Sequence, residues 1–571
     1  MNHRSVQFGG GTYDTVYSYL TDGRANTTTY PSTATVTQGY DTLNRPNTTD
    51  ITPTSTQPTL RRETSYLGAG GTRTTSLISA VNNYVRSNSV NTPVAGWTRF
   101  GYTYDTGGNI ASVTETNQAN ATRTTTYEYD RLNQLTRVND PATNLTTTYT
   151  YDNAGNILTR TEYPYTTSTP GTASSTVGYT YGDSVWKDKL TAYKGQPITY
   201  DGAGNPLSYR DGMSFTWQQG RQLATTTTSA GQQVSYTYNP QGNRISKTSG
   251  GVTTTYLVDE QGVIQATQQG SDKLVFLYDS TGRRDGFMWW TGTTFNGTYY
   301  YLYNLQSDVT GIVNNTLTPQ VMYEYDAWGK PTKTTDGAGV TITPTARHLA
   351  NINPFRYRSY TYDQETGLYH LNSRYYDPVT GRFINADTTN VLGNSDVVGS
   401  NLFAYCGNNP ISEYDPSGYK AIDITARLTS LMRTSAWQFA MYLYSEVTRR
   451  GSKGLANAFL TFYRNAKNYG AWDLKRQKAW QPAKGDWFVF RGQTLRSDDP
   501  GNILFGYVGS VMFPVAVLHA GAGIYHLQIG KATGTFRTWF DDPRDYAMIE
   551  YGHSLFMRDL GKLICRLLRK C

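Results

Sequence analysis

Through the first 350 residues, hydrophobic and polar positions alternate in short runs, each broken by a cluster of Gly, Asn and Asp. The run Thr124 to Tyr129 is representative. Its β-branched and aromatic residues fit a strand with side chains alternating between two faces, and the residues that follow fit a tight turn. After Gly418 the period changes. Apolar residues fall at helical spacing in Ile422 to Tyr444 (Leu428, Leu431, Met432) and in Gly454 to Ala466 (Leu455, Phe459, Phe462). Trp487 to Phe490 reads as a strand, Asp498-Asp499-Pro500-Gly501 as a turn, and Val511 to Ala520 as a buried helix. A last helix is expected from Pro543 to about Leu568, with Asp542 as its N-cap and Ile549, Phe556, Leu560, Leu563 and Leu567 as its apolar stripe. The pattern predicts a mainly β protein with a C-terminal α+β domain.

The alternation is also periodic on a longer scale. A Tyr-Asp step followed by Gly-Asn recurs at Tyr104-Asp105, Tyr151-Asp152 and Tyr200-Asp201, with variants at Tyr129-Asp130, Tyr238-Asn239, Asp259, Tyr278-Asp279 and Tyr325-Asp326. Asp and Gly-Asn supply the positive-φ positions of a hairpin turn. A lone hairpin is marginal, so the aromatic faces require stacking of one repeat on the next. These residues are architectural.

Composition agrees. The 47 Tyr and 55 Gly, with only 16% charged residues, exclude a helical bundle, a coiled coil or a Rossmann-dominated enzyme, and 13% aromatic content argues against disorder. Charge is uneven: residues 420–571 hold 22 Lys and Arg against 11 Asp and Glu, while the first 419 residues carry a net −3. A basic module behind a near-neutral body points to a polyanionic partner, against the plainer reading of a solvated basic surface. Cys406, Cys565 and Cys571 are too few for a disulfide scaffold and match no zinc spacing. Met1 to Leu20 holds no apolar run of the signal-peptide kind. Phe8 to Asp22 already reads as the middle of a strand-and-turn array, so an N-terminally truncated array is expected.

The repeat resembles the YD repeats of RHS proteins, a pattern shared by teneurins and by the C components of insecticidal toxin complexes. The resemblance implies a shell of spiralling β-hairpins over residues 1–350. Residues 351–419 would be the RHS-associated core, or plug. The resemblance there rests on Tyr362-Asp363, Gly367-Leu368-Tyr369, Ser373-Arg374-Tyr375-Tyr376-Asp377-Pro378, Gly381-Arg382-Phe383-Ile384, Asn401 to Pro410 and Asp415-Pro416-Ser417-Gly418. Many members of the family cut themselves after the last of these elements with a pair of aspartates. The matching positions are Asp387 and Asp415, with cleavage near Tyr419. Two carboxylates held close resist double ionisation, so one can serve as acid and the other as base. Here Asp387 is followed by Thr388-Thr389 instead of Pro-x-Gly, and Tyr419 stands where Leu is usual. The competing reading is that both aspartates cap turns.

Gly501-Asn502-Ile503, Gly506 to Gly509, Ala520 to Gly523 and Phe540-Asp541-Asp542-Pro543-Arg544-Asp545 resemble the polymorphic toxin type 44 domain. That resemblance implies a toxin domain over 420–571, a nuclease acting on RNA, with a cognate immunity protein as partner. It also implies secretion or surface display, with the effector delivered into a target cell's cytoplasm. RNA cleavage needs a base for the 2′-hydroxyl, an acid for the leaving oxygen and a cation for the phosphorane charge. Asp541, Asp545, Arg544, His553 and Glu550 are the candidates, with His519, His526 and Lys475 also available. Asp541, Asp542 and Asp545 could instead hold Mg²⁺. At a helix start, Asp542 and Asp545 are equally ordinary capping residues.

Two other functions are open. The chain could be a non-enzymatic surface or wall adhesin whose basic tail binds anionic polymers. Alternatively, residues 501–530, which hold no Asp, Glu, Lys or Arg, could form a pore. Six glycines, Pro514 and two histidines make that stretch a poor spanning helix, so no stable membrane insertion is expected.

Overall fold

The computed structural model describes residues 3–20, 24–68, 74–259, 262–345, 347–387, 401–415, 422–423, 425–466, 474, 488–490, 493–495, 499–513, 517–518 and 548–557. The chain divides into two compact units. One holds Asn2–Ser18 and Ala25–Gly418; the other holds Tyr19–Arg24 and Tyr419–Cys571 with Met1.

The larger unit is built from antiparallel strands that follow one another in sequence. Its two big sheets have 17 strands, between His3 and Pro197, and 12 strands, between Ser214 and Asp336. The local cause is visible at each Tyr-Asp step. In Asp105 to Asn109 the Asp105 carbonyl accepts from the Gly108 amide, while the Asp105 carboxylate accepts from both the amide and the side chain of Asn109 (2.9 and 3.0 Å). Asp152 with Asn156 and Asp201 with Asn205 repeat these bonds. The fourth turn residue must adopt positive φ, met by Gly108 (89°) and Gly155 (74°). The tyrosine before each turn reaches one repeat back. Tyr129 Oη donates to the Ile110 carbonyl, Tyr151 to Leu135, Tyr181 to Ile157, Tyr238 to Leu223, Tyr278 to Ile264 and Tyr325 to Val309. Strand register also slips by one residue at Tyr129, Tyr151, Tyr238, Tyr278, Tyr303 and Tyr325. Such bulges bend and twist a strand, so the repeat writes curvature into the sheet at regular intervals.

The two sheets face each other across apolar cores. Val36, Ile51 and Leu60 of the first pack with Val275, Leu277 and Tyr300 of the second. A larger cluster joins Phe100, Ile110, Leu135 and Ile157 to Leu223, Val234 and Tyr236, and to the plug through Tyr369, Tyr376, Phe383 and Tyr405. The plug is a four-stranded sheet of Thr361–Asp363, Leu368–Leu371, Arg374–Asp377 and Arg382–Phe383. Repeat strands such as Trp97–Tyr104 bury alternate residues, whereas Leu368–Leu371 and Arg374–Asp377 are buried at every position. A strand enclosed on both faces has no solvent side to give to its polar residues, so each of those must find a partner.

In the smaller unit, helices Thr425–Arg450 and Ser452–Ala466 pair as a hairpin, and Met432, Phe439 and Phe462 meet Ile503, Leu504, Tyr507, Ile549 and Leu555 in a separate core. Three expectations are corrected here. Ile422–Asp423 is a strand pairing in parallel with Phe488–Phe490, so the first helix begins only at Thr425. Asp499-Pro500 opens a helix, Asp499–Gly509, where a turn was expected. Asp then Pro is as good a helix start as a turn start, and the apolar run that follows decides between them. Residues 511–513 form a turn, so no helix starts at Val511; within the expected span 517–518 are helical, and 514–516 and 519–520 lie outside the described residues. Residues 548–557 are helical, while both ends of the expected Pro543 to Leu568 helix lie outside the described residues. A Cβ on Gly506 would collide with the Ile549 carbonyl and one on Gly552 with the Ile503 carbonyl, so these glycines let the two helices touch backbone to backbone.

Candidate active site in the plug

The plug is seated by polar contacts that read the repeat turns one by one. Asn409 Nδ2 donates to Asn109 Oδ1 (2.9 Å), Asn408 Nδ2 to Gln134 Oε1 (2.9 Å), and Asn401 Nδ2 to Asn156 Oδ1 (2.8 Å). Each acceptor is the residue that ends a Tyr-Asp turn. Buried ion pairs add to this. Arg210 grips Asp377 through Nε (2.6 Å) and Nη2 (2.8 Å), and Arg244 grips Asp363 through both terminal nitrogens (2.5 and 3.2 Å). Burial alone would raise the Asp363 carboxyl, but Arg244 and Lys247 overcome it and hold it below the ordinary range. Nearby, burial and the Arg244 charge push His370 well below its usual value.

That seating places the two aspartates. Asp387 leaves the strand Arg382–Phe383, and its amide donates to the Leu402 carbonyl (2.8 Å). Asp415 ends the loop beyond Pro410, and its amide donates to Tyr360 Oη (2.9 Å). Both carboxylates meet Arg374: its Nη2 lies 2.9 Å from Asp387 Oδ2 and 3.4 Å from Asp415 Oδ2. Arg374 is itself fixed, with Nη1 donating to the Leu402 carbonyl (3.1 Å) and its guanidinium 3.5 Å over the Phe383 ring. Asp387, Arg374 and Asp415 are 2%, 3% and 7% exposed. Residues 28 apart in sequence thus converge on one nitrogen, with two carboxyls and one cation shielded from water. The trio gathers two acidic side chains around one guanidinium, which supplies the counter-charge. Arg374 lay in the sequence motif, but nothing in its spacing tied it to either aspartate.

Tyr419 lies outside the described residues, as do Asp541, Asp542, Arg544, Asp545, His519, His526 and Lys475. His553 and Glu550 lie one turn apart on the 548–557 helix. His553 Nδ1 is 2.8 Å from Ser510 Oγ, which is also 2.6 Å from the Gly506 carbonyl. If that hydroxyl donates to Gly506, Nδ1 must carry a proton and leave Nε2 as the basic nitrogen. Among the described residues no group of three or more His, Cys, Asp or Glu is disposed to hold a metal, and no helix is long and apolar enough to cross a membrane.

These features define a class: a stacked-hairpin repeat body sealed by a buried plug. Residues 129–168 match the family model described as RHS Repeat. The chain is 34% identical over 240 residues to the tRNA3(Ser)-specific nuclease WapA of Bacillus spizizenii and 33% identical over 239 residues to the tRNA nuclease WapA of Bacillus subtilis. Each match covers 41% of this chain and 9% of the relative. A crystal structure titled TcdB2-TccC3-TEV aligns with a TM-score of 0.48 at 18% identity, over 71% of this chain and 21% of that one. Residues 129–168 thus carry an RHS repeat, and the chain is similar in sequence to proteins of the RHS/YD-repeat kind.

Proposed function

We propose that this chain carries both the shell and the cargo of an RHS polymorphic toxin. Its repeat-and-plug part cuts the chain after Asp415, near Tyr419, and frees the basic C-terminal unit as a ribonuclease. The observation that carries the cleavage reading is the convergence of Asp387 and Asp415 on Arg374 Nη2. In the reaction, one carboxylate takes a proton from water as its oxygen bonds to the scissile carbonyl carbon. The other carboxylic acid gives its proton to the departing amide nitrogen as the C–N bond breaks. Arg374 holds the pair in register and balances the charge.

The nuclease reading is supported by the tRNA nuclease activity of the two WapA relatives and by the net +11 of residues 420–571. Asp541, Asp545, Arg544, Glu550 and His553 are the residues we assign to RNA cleavage, with Mg²⁺ at Asp541, Asp542 and Asp545 as the alternative use of those carboxylates. A cognate immunity protein, acidic where it meets the basic unit, protects the producing cell. The toxin is secreted or surface-borne, and its effector works in the cytoplasm of the target.

Expression of residues 420–571 in bacteria tests the effector. Growth arrest with degraded RNA is expected, relieved by Asp541→Ala, Asp545→Ala or His553→Ala. Harmless accumulation would favour the adhesin, and liposome dye leakage without RNA loss a pore.

A further inference from the structure

A cavity of about 110 Å³ lies where the first repeat sheet, the second and the plug come together. Its lining holds five carboxylates, Glu115, Asp140, Asp308, Glu324 and Asp326, against two guanidiniums, Arg123 and Arg358. Most of these charges are already engaged. Arg123 bridges Glu115 (2.6 Å) and Glu324 (2.8 Å), so it joins the two sheets. Arg358 turns its terminal nitrogens to the Gln306, Pro410 and Ile411 carbonyls, with Nε 4.0 Å from Asp308 Oδ1. Asp308 accepts from the Asn304 side chain (2.7 Å) and the Arg358 backbone amide (2.8 Å), and Asp140 accepts from the Thr143 hydroxyl (2.9 Å). Asp326 differs. Its Oδ1 takes both of its hydrogen bonds, from the Trp328 and Lys330 amides (2.9 Å each), and its Oδ2 takes none from a described residue. Burial, against the weaker pull of the Lys330 amide and the Arg160 charge, pushes this carboxyl up to about 6. Two more lining residues carry an acceptor with no partner among the described residues: Thr310 Oγ1, on a residue only 8% exposed, and Gln306 Oε1. Buried oxygens of this kind are normally satisfied.

Excess carboxylates and open acceptors suit a cation, and the rest of the lining selects its kind. Among the described residues no group of three or more His, Cys, Asp or Glu is disposed to hold a metal. Phe100, Tyr127, Tyr325 and Tyr357 line the same cavity, and aromatic rings attract organic cations while covering their carbon. A volume of this size has room for several water-sized groups, enough for a short alkyl chain. We propose that the cavity binds a small alkylammonium ion of the diamine class, with an ammonium group paired to Asp326 and the carbon chain against the aromatic rings. Thr310 and Gln306 supply further acceptors for its N–H groups. The ligand meets both sheets and the plug at once, so it ties together the three parts that Arg123 and Arg358 already bring to this place. This inference stands apart from the self-cleavage and nuclease readings.

The test uses the full chain at mildly alkaline pH, where Asp326 is ionised and both amines of putrescine are protonated. Equilibrium dialysis with radiolabelled putrescine is expected to show saturable binding of one molecule per chain, with a melting temperature that rises as putrescine is added. Asp326→Asn keeps the shape and the amide contacts but removes the charge. It should weaken binding roughly 10- to 100-fold, the loss of one charge-assisted hydrogen bond, while the fold stays at least as stable. Thr310→Val, of nearly the same shape, should weaken binding roughly 3-fold. Neither uncharged butanediol nor calcium chloride at matched ionic strength should compete. Unchanged affinity in Asp326→Asn, or no saturable binding by the unchanged protein, would overturn the proposal. So would displacement by calcium, which would mark a metal site, or by butanediol, which would mark a cavity that only exchanges water.

Discussion

The plug and the C-terminal unit are both sealed from water, but by different means. The plug buries charge in matched pairs, Arg210 with Asp377, Arg244 with Asp363 and Arg374 with Asp387. The C-terminal core is made of Met432, Phe439, Phe462, Ile503, Leu504 and Ile549. Directional pairs cost desolvation and add little net stability, but they penalise any shifted register severely. Apolar packing is stronger for its size and more tolerant of rearrangement. A plug that must hold two aspartates on one guanidinium needs the first kind of seal. A unit whose described core is mainly apolar can rely on the second.

The largest expected effect breaks a plug pair. Arg210→Ala leaves Asp377 at 0% exposure without its main partner and should cost about 3–5 kcal/mol in urea unfolding of the larger unit. Arg210→Met with Asp377→Leu should recover most of that loss. If the double variant is as unstable as the single, the pair is doing more than fixing register and the contrast fails. Phe462→Ala should cost about 3 kcal/mol, confined by hydrogen exchange to the smaller unit. Protection lost equally in the plug would show that the two cores are not separate.

A third test concerns the turn Asp326, whose carboxyl is pushed up to about 6 by burial, only partly offset by the Lys330 amide and the Arg160 charge. A raised carboxyl contributes stability that is full below its unfolded value and is lost as pH rises through about 6. Asp326→Asn keeps the oxygen that accepts from the Trp328 and Lys330 amides, so it should stabilise the protein by about 3 kcal/mol at pH 8, an effect that fades as pH falls towards and below the unfolded value of 3.8. A gain that does not change with pH would refute this cause. The smallest effect lies in the repeats: Tyr129→Phe removes one bond to the Ile110 carbonyl and should cost about 1 kcal/mol by thermal unfolding. A much larger loss would mean that the repeats depend on directional contacts as heavily as the plug.

The turns, the strand alternation and the helix of Ser452–Ala466 were legible in the chain because each is governed by residues within a few positions of one another. Asp105 folds its own turn with Asn109, four residues on. Where a local signal had two meanings, as at Asp499-Pro500, the reading went to a turn and the protein made a helix. The convergence of Asp387 and Asp415 on Arg374 and the pairing of Asn409 with Asn109 across 300 positions belong to the tertiary structure. They depend on the accumulated register of successive hairpins and on the desolvation that follows when the plug is enclosed. Short-range propensity carries no record of either.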